Sequence, residues 1–289
     1  MKTKTIVFGG SGFLGSHVAD ELSSRGHKVT IFDLKRSPYL AKGQNMIVGD
    51  IMEPRKVLDA VSGCDYVYNF AGISDLDDAR TKSLDTVRLN VMGNLNILEA
   101  AAKAKAKRFI YASSIYVYSQ KGGFYRCSKQ SSELYIEEYG RRYGLDYTIL
   151  RYGSLYGSRA NEKNSVYRYL KQAKEKGCVF CSGSGNEIRE YINVRDAARL
   201  SVDILKDEFR DKHIIIAGHH PMKFKDMVSI LREILGKDVK IKFSEKINND
   251  HYDYAPYSFT PKIGQKLVNH LYVDMGQGIL ECLYEMYGK

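Results

Sequence analysis

The stretch "IVFGGSGFLGSH", Ile6 to His17, most constrains what this chain can fold into. An apolar run ends in closely spaced glycines, and a helical pattern follows. That is the order of a strand, a tight turn and a helix. Such a turn brings backbone N–H groups and a helix N-terminus, near Phe13 and Leu14, up to an anion such as a pyrophosphate. Two spacings overlap here. G-x-G-x-x-G counts from Gly10 and G-x-x-G-x-x-G counts from Gly9, with Gly12 and Gly15 serving both. The segment alone leaves the register open.

Asp33 ends the second apolar run, roughly 20 residues beyond the turn. A carboxylate there accepts hydrogen bonds from adenosine ribose hydroxyls and repels a 2′-phosphate, which favours NAD over NADP. Lys35 and Arg36 stand close by and keep a phosphate-bearing cofactor open. Asp50, followed by Ile51 in "VGDI", is placed to meet the adenine edge. Its plainer reading is a turn or cap residue.

Strand-like and helix-like segments alternate through the first two-thirds of the chain, the pattern of a parallel sheet covered on both faces. Strands are expected near residues 5–8, 28–32, 46–48, 66–70, 108–112, 147–150 and 212–217. Helices are expected near 14–25, 54–61, 84–104 and 128–143. The alternation breaks down from about Ser154. The fold class is therefore α/β: a doubly wound Rossmann sheet with a smaller α/β lobe toward the C-terminus. Residues 1–157 and roughly 190–218 make the dinucleotide-binding domain. Residues 158–189 and 219–289 make a substrate lobe over the carboxyl edge of the sheet.

Composition narrows the function. The net charge is +10, but the densest basic stretch, "KAKAKR" at Lys103–Arg108, closes an Ala-rich helical pattern, where lysines complement the helix dipole. No nucleic-acid-binding module is visible. No apolar run approaches the ~20 residues that span a bilayer. "MKTK" runs straight into a strand, so a cytoplasmic enzyme is expected. The five cysteines are scattered. "CVFC" at Cys178–Cys181 reads as a strand whose ends face opposite ways, so no metal site is expected.

Tyr125 and Lys129 form Y-x-x-x-K, spaced to share a helix face. A nearby ammonium and a cationic nicotinamide both favour phenolate over a phenol of ordinary pKa about 10. The phenolate can then take a proton from a substrate hydroxyl as hydride leaves the carbon. Lys129 would also hold the nicotinamide ribose. The strand expected near 108–112 delivers Ser113 and Ser114 to the sheet edge just upstream, where a hydroxyl can hydrogen-bond the reacting oxygen.

Taken in order, these motifs resemble the extended short-chain dehydrogenases/reductases, in particular the NAD-dependent epimerase/dehydratase group acting on sugar nucleotides. "GGSGFLG" resembles that family's G-x-x-G-x-x-G and selects Gly9, Gly12 and Gly15. "YNFAG" resembles the cofactor-lining segment after the fourth strand, implicating Phe70, Ala71 and Gly72. "LNVMGN" is similar to N-V-x-G-T, with Asn90 in the asparagine position and Asn94 replacing threonine. "SSIYVY" and "YRCSK" match the catalytic serine, tyrosine and lysine as Ser114, Tyr125 and Lys129. "RYGSLYG" resembles R-x-x-N-V-Y-G beside the nicotinamide, implicating Tyr152, with Ser154 in place of asparagine. "REYINVRDAA" resembles R-D-F-I-H-V-x-D-x-A, which puts Arg189 near the substrate phosphates and Asp196 at a structural aspartate.

The resemblance implies an NAD-dependent enzyme of polysaccharide biosynthesis that takes hydride from C4 of a nucleotide-activated sugar. Relatives that remove water carry Asp-Glu after the catalytic Ser or Thr; here Ile115 and Tyr116 stand there, which disfavours a 4,6-dehydratase. A 4-epimerase and a 4-dehydrogenase both fit, and a 4-keto sugar reductase is the same machine reversed. A protein that only senses NAD would not need the Ser–Tyr–Lys set. Short segments between Tyr118 and Tyr125 and between Gly157 and Arg189 suggest room for a larger glycosyl group. Tyr116, Ser154 and the tyrosines Tyr252, Tyr254 and Tyr257 are candidate substrate contacts. Many relatives are homodimers that pack two helices per subunit, here 84–104 and 128–143.

Overall fold

The structure, a computed structural model, describes residues 2–236, 239–244, 265–267 and 272–288. Its centre is a sheet of β1 (Lys4–Phe8), β2 (Lys28–Asp33), β3 (Asn45–Val48), β4 (Tyr66–Asn69), β5 (Arg108–Ser114), β6 (Tyr147–Tyr152), β7 (Lys212–Ile216) and β8 (Gln265–Leu267). Their spatial order is β3-β2-β1-β4-β5-β6-β7-β8, and every pairing is parallel. Strand order reverses between β1 and β4. That switch point opens a ligand crevice at the carboxyl edge of a doubly wound sheet.

Apolar residues on both faces of the strands explain their near-continuous hydrophobic runs. On one face, Val7, Ile31 and Ile110 pack against Val18 and Leu22 of α1 (Phe13–Ser24), and Ile214 and Ile216 pack with Leu200. On the other, Ile6, Phe8 and Phe109 meet Val57, Val61, Ile97, Leu98 and Ile136. These come from α2 (Pro54–Val61), α3 (Gly93–Lys103) and α4 (Gly123–Tyr143). A third core joins Val166, Leu170 and Ala173 of α5 (Ser165–Lys176) to Val179, Cys181 and residues from two later helices. After α6 (Val194–Asp203), those are α7 (Phe224–Leu235) and α8 (Met275–Tyr287). The "CVFC" segment is a strand, Cys178–Ser182, paired in parallel with Lys240–Ser244. No helix among the described residues is long and apolar enough to cross a membrane.

Three boundaries differ from the sequence expectation, each at the carboxyl edge. β5 runs on to Ser114, so Ser113 and Ser114 lie in the strand and point to opposite faces. The segment expected as one helix over 84–104 contains a π-helical turn, Val87–Met92, around Asn90. Such turns recur at functional sites because they widen the helix locally. α4 starts at Gly123 rather than at 128, because Gly122 and Gly123 adopt φ +96° and +47°, a left-handed entry suited to glycine. The earlier start brings Tyr125 into the first turn.

Below the edge, Arg151 of β6 and Glu133 of α4 form a buried ion pair, with side chains 1% and 2% exposed. Arg151 Nε donates to Glu133 Oε1 at 3.0 Å and Nη2 to Oε2 at 2.6 Å. Removing one member of such a pair strands the other charge in the core. Arg151→Met is expected to lower unfolding free energy by about 3–5 kcal/mol. Glu133→Leu/Arg151→Met together should cost less than that single change, as measured by urea unfolding. The glycine turn is equally unforgiving, since a Cβ on Gly15 would lie 2.3 Å from the Gly9 carbonyl oxygen. Gly15→Ala should open the turn, lower Tm and abolish NAD binding in titration calorimetry.

Candidate active site

The crevice is built first from backbone. Gly9, at φ +73°, donates its N–H to Phe32 O at 2.9 Å, and a Cβ on it would sit 2.7 Å from Ala71 N and the Phe70 carbonyl carbon. The turn after β1 is thereby pressed against the segment after β4. α1 begins at Phe13 with Gly12 as its cap; it has no side-chain cap and no acidic residue in its first turn. A Cβ on Gly12 would meet only the Gly9 carbonyl oxygen, at 3.2 Å, so space lies over the turn. Uncapped N–H groups facing space at a helix N-terminus fit a dinucleotide pyrophosphate. Leu14 packs beneath, into the α1-side core.

Asp33 stands beside this turn. Its Oδ2 accepts the Ser11 N–H at 3.0 Å, while Ser11 Oγ donates to Lys35 O at 2.9 Å. The acidic strand end and the glycine turn are therefore one rigid unit. Asp50 takes the turn role, its Oδ1 accepting the Met52 N–H at 2.9 Å. Ile51 is buried against Gly93, and its carbonyl accepts from Asn96 Nδ2 at 2.9 Å.

On the β4 side, Ala71 N–H is held by Asn69 Oδ1 at 3.0 Å, and Asn69 Nδ2 donates to Asn94 Oδ1 at 2.8 Å. Asn94, in the position the resemblance gives to threonine, thus steadies the Phe70–Gly72 segment through Asn69. Asn90 clamps the next residues. Its Oδ1 accepts Ile73 N–H at 2.7 Å, while Nδ2 reaches Ile73 O and Ser128 Oγ, each at 2.9 Å. The Asn90 amide is spent on protein groups, so its direct part is to tie the segment after β4 to α4. Gly72, at φ +133°, has no room for a Cβ, which would fall 2.4 Å from Asn90 Oδ1.

Ser114, Tyr125 and Lys129 converge at the end of β5. Ser114 hydrogen-bonds the Tyr125 phenol, and its Oγ also accepts the Tyr116 N–H at 3.3 Å. Burial pushes the Tyr125 phenol up to about 12, against the lowering effect of Ser114. Lys129 is also buried. Burial pulls its ammonium down to about 8, and Glu133 opposes that. Lys129 Nζ donates to Ala112 O at 2.7 Å and lies 4.7 Å from the Tyr111 ring centroid and 5.7 Å from that of Tyr125. The lysine is pinned on one side by a carbonyl and an aromatic face.

The remaining candidates divide. Tyr116 belongs to the site: its ring meets the Tyr125 ring edge-on at 6.3 Å, and a Cβ on Gly122 would lie 2.7 Å from it. Tyr152 sends its hydroxyl into the core, 2.6 Å from Ser201 Oγ, while its ring lies 6.5 Å from that of Phe70. Ser154 opens a short strand paired with Tyr191–Asn193. Arg189 lies in a two-residue strand opposite Met222 and donates from Nη1 to Ile188 O. Asp196 is buried, ion-paired with Arg199, and accepts the Val273 N–H at 2.7 Å, as a structural aspartate does. Tyr252, Tyr254 and Tyr257 fall outside the described residues.

Sequence reasoning missed Tyr111 beneath Lys129 and the Ser113–Glu133–Arg151 cluster behind it. Two signals were available. Glu133 follows Lys129 by four residues, one helical turn on the same face. Adjacent serines in a strand point opposite ways, so only one of Ser113 and Ser114 can face substrate.

Comparisons with known proteins agree with this geometry. The chain matches the model of the NAD dependent epimerase/dehydratase family over residues 5–218. It is 28% identical to a UDP-N-acetyl-alpha-D-glucosaminuronate decarboxylase of Bacillus cytotoxicus, covering 83% of each chain. It is 24% identical to a UDP-glucuronate 4-epimerase of Thermodesulfobacterium geofontis, covering 82% of each. Its fold superposes on a UDP-glucose 4-epimerase of Thermotoga maritima with a TM-score of 0.86, at 23% identity over 99% of both chains. Since the family match spans the glycine turn, the crevice and the Ser–Tyr–Lys cluster, this chain belongs to the NAD-dependent epimerase/dehydratase family of enzymes.

Proposed function

We propose that the protein oxidises C4 of a nucleoside-diphosphate sugar with NAD, acting as a 4-epimerase or a 4-dehydrogenase. The observation that carries this reading is the meeting of Ser114, Tyr125 and Lys129 at the carboxyl end of β5, beside the switch-point crevice. NAD, when bound, supplies the hydride acceptor. Gly9, Gly12, Gly15 and the start of α1 would take its pyrophosphate and Asp33 its adenosine ribose, with Asp50, Ile51 and the Phe70–Gly72 segment beside it. Lys129 has N–H groups left for the other ribose.

Tyr125 then removes the C4 hydroxyl proton. A phenol buried among protein atoms resists ionising, so cationic charge nearby decides whether the base exists. Lys129 supplies part of that charge, and the pyridinium supplies the rest. Ser114 hydrogen-bonds the reacting oxygen as it changes from alcohol to ketone. Ile115 and Tyr116 follow the serine, and neither is an acid–base group at neutral pH. That favours hydride return over loss of water. Arg189, Tyr116 and Ser154 are the proposed substrate contacts, and the lobe bearing Arg189 closes the sugar site. The ketone is also the species that a C6 carboxylate would need in order to leave as CO2, the chemistry in the decarboxylase relative's name.

Product analysis separates the outcomes. An inverted sugar with NAD retained identifies an epimerase; a 4-keto sugar with NADH identifies a dehydrogenase. No turnover of any nucleotide sugar would point to an NAD-sensing protein. Tyr125→Phe should lower kcat by about 10²–10⁴-fold, while NAD affinity measured by calorimetry stays near wild type. Unchanged turnover would remove Tyr125 from the chemistry.

We also infer a homodimer in the cytoplasm. Support comes from exposed apolar side chains on the two helical segments: Leu84 at 84%, Val87 at 49%, Leu134 at 56% and Tyr143 at 60%. Exposed apolar groups gathered on neighbouring helices favour burial against a second copy. Leu134→Glu should halve the mass seen by analytical ultracentrifugation and leave the circular dichroism spectrum intact.

A further inference from the structure

Behind Lys129 lies a set of buried polar groups for which the reaction has no direct use. Glu133 is one helical turn beyond Lys129 on α4 and is 2% exposed. Two strands of the sheet hold its carboxylate and a third borders it. From β5, Ser113 Oγ donates to Oε1 at 2.5 Å. From β6, Arg151 donates to both oxygens, at 3.0 and 2.6 Å. From β7, His213 Nδ1 lies 3.6 Å from Oε2.

The donor rules fix the state of the histidine. Arginine nitrogens only donate, and Arg151 Nη2 lies 2.8 Å from His213 Nδ1. Nδ1 must therefore accept, which leaves the ring proton on Nε2, 3.1 Å from Glu137 Oε1. Arg151 also reaches the Tyr118 hydroxyl and stacks on that ring with its guanidinium 4.6 Å from the centroid. All of the arginine's donors near Glu133 are committed, and the carboxylate is locked as an anion. Burial alone would push the Glu133 acid up, but its hydrogen bonds from Arg151 and Ser113, with the Arg151 charge, hold it at about 2.

The charged and titratable groups around Lys129 are then few. β5 contributes the Tyr111 ring beneath the ammonium, and α4 contributes Tyr125 on one side and Glu133 on the other. Arg151, the cation paired with Glu133, comes from β6 and turns its remaining donors to Tyr118 and His213. The Glu133 charge, one helical turn from Lys129, favours the ammonium. Buried in low dielectric, such a charge acts with little screening. We propose that Glu133, clamped by Ser113 and Arg151, is the counter-charge that keeps Lys129 cationic and seated on the Ala112 carbonyl. It is a positioning residue, since it acts on the reaction only through Lys129. The two serines that end β5 divide the work: Ser114 serves the phenol and Ser113 serves the counter-charge.

This assignment rests on the Lys129 role proposed above, but it can fail separately. Competitive acetylation of the substrate-free protein with acetic anhydride, read by mass spectrometry of the Lys129 peptide, reports the lysine's own titration. Loss of the counter-charge disfavours the ammonium, so the Lys129 midpoint should move to lower pH. In Glu133→Gln the expected shift is about one unit or more, a tenfold change in protonation. Ser113→Ala, a milder change that tests the same clamp if Glu133→Gln does not fold, should shift it in the same direction by less. Glu133→Asp should restore most of the wild-type midpoint. The alkaline limb of kcat/KM should move down in parallel, because activity needs the ammonium. An unmoved Lys129 midpoint in both Glu133→Gln and Ser113→Ala would overturn the proposal, leaving Glu133 a purely structural partner of Arg151. A shifted midpoint with no effect on turnover would instead overturn the role given to Lys129.

Discussion

The architecture depends on one close approach of main chain to main chain. At the carboxyl end of β1, Gly15 lies against the Gly9 carbonyl and Gly9 lies against the Phe70–Ala71 peptide. No side chain fits at either contact, so the turn, the start of α1 and the segment after β4 are drawn into one surface. Asp33 is joined to that surface through Ser11. The crevice at the switch point is therefore shaped mainly by backbone, which gives it rigid N–H donors at an uncapped helix end. Ser114, Tyr125 and Lys129 then need only be delivered to its rim.

Delivery falls to β5 and α4. The strand places Ser114 and the Ala112 carbonyl, and the helix places Tyr125 and Lys129, on opposite walls of the same gap. The helix wall is fastened to the segment after β4 by Asn90, whose amide bridges Ile73 and Ser128, and by Ser132 Oγ, which donates to Asn90 O at 2.8 Å. The π-helical turn at Val87–Met92 lets Asn90 reach both ways. Burial of Tyr125 and Lys129 favours the neutral form of each, and the Glu133 charge opposes that at the lysine. The chemistry and the electrostatics of the buried cluster are thus one problem.

Much of this was legible along the chain because it rests on local periodicity. The apolar runs of β1, β2, β4 and β6 and the span of α2 follow from residue pattern, and the Y-x-x-x-K spacing needs nothing beyond a helix. Boundaries were less legible where backbone departs from the regular geometry those patterns assume. The Gly122–Gly123 entry lengthened α4, and a π-helical turn interrupted the segment read as a single helix. Tyr152 shows the other limit. No local pattern pairs its hydroxyl with Ser201, on a helix far along the chain, which draws it into the core.

The sequence by itself determined the doubly wound class, the glycine turn with its acidic strand end, and the tyrosine and lysine that share a helix face. Each of these follows from spacing within a single element or across one turn. Only the tertiary structure decided which of two adjacent serines faces the phenol, what lies under the lysine, and that Glu133, Arg151 and His213 share one buried cluster. Those are contacts between α4 and three different strands. The order and register of the sheet set them, and no local pattern encodes the distance between residues brought together that way.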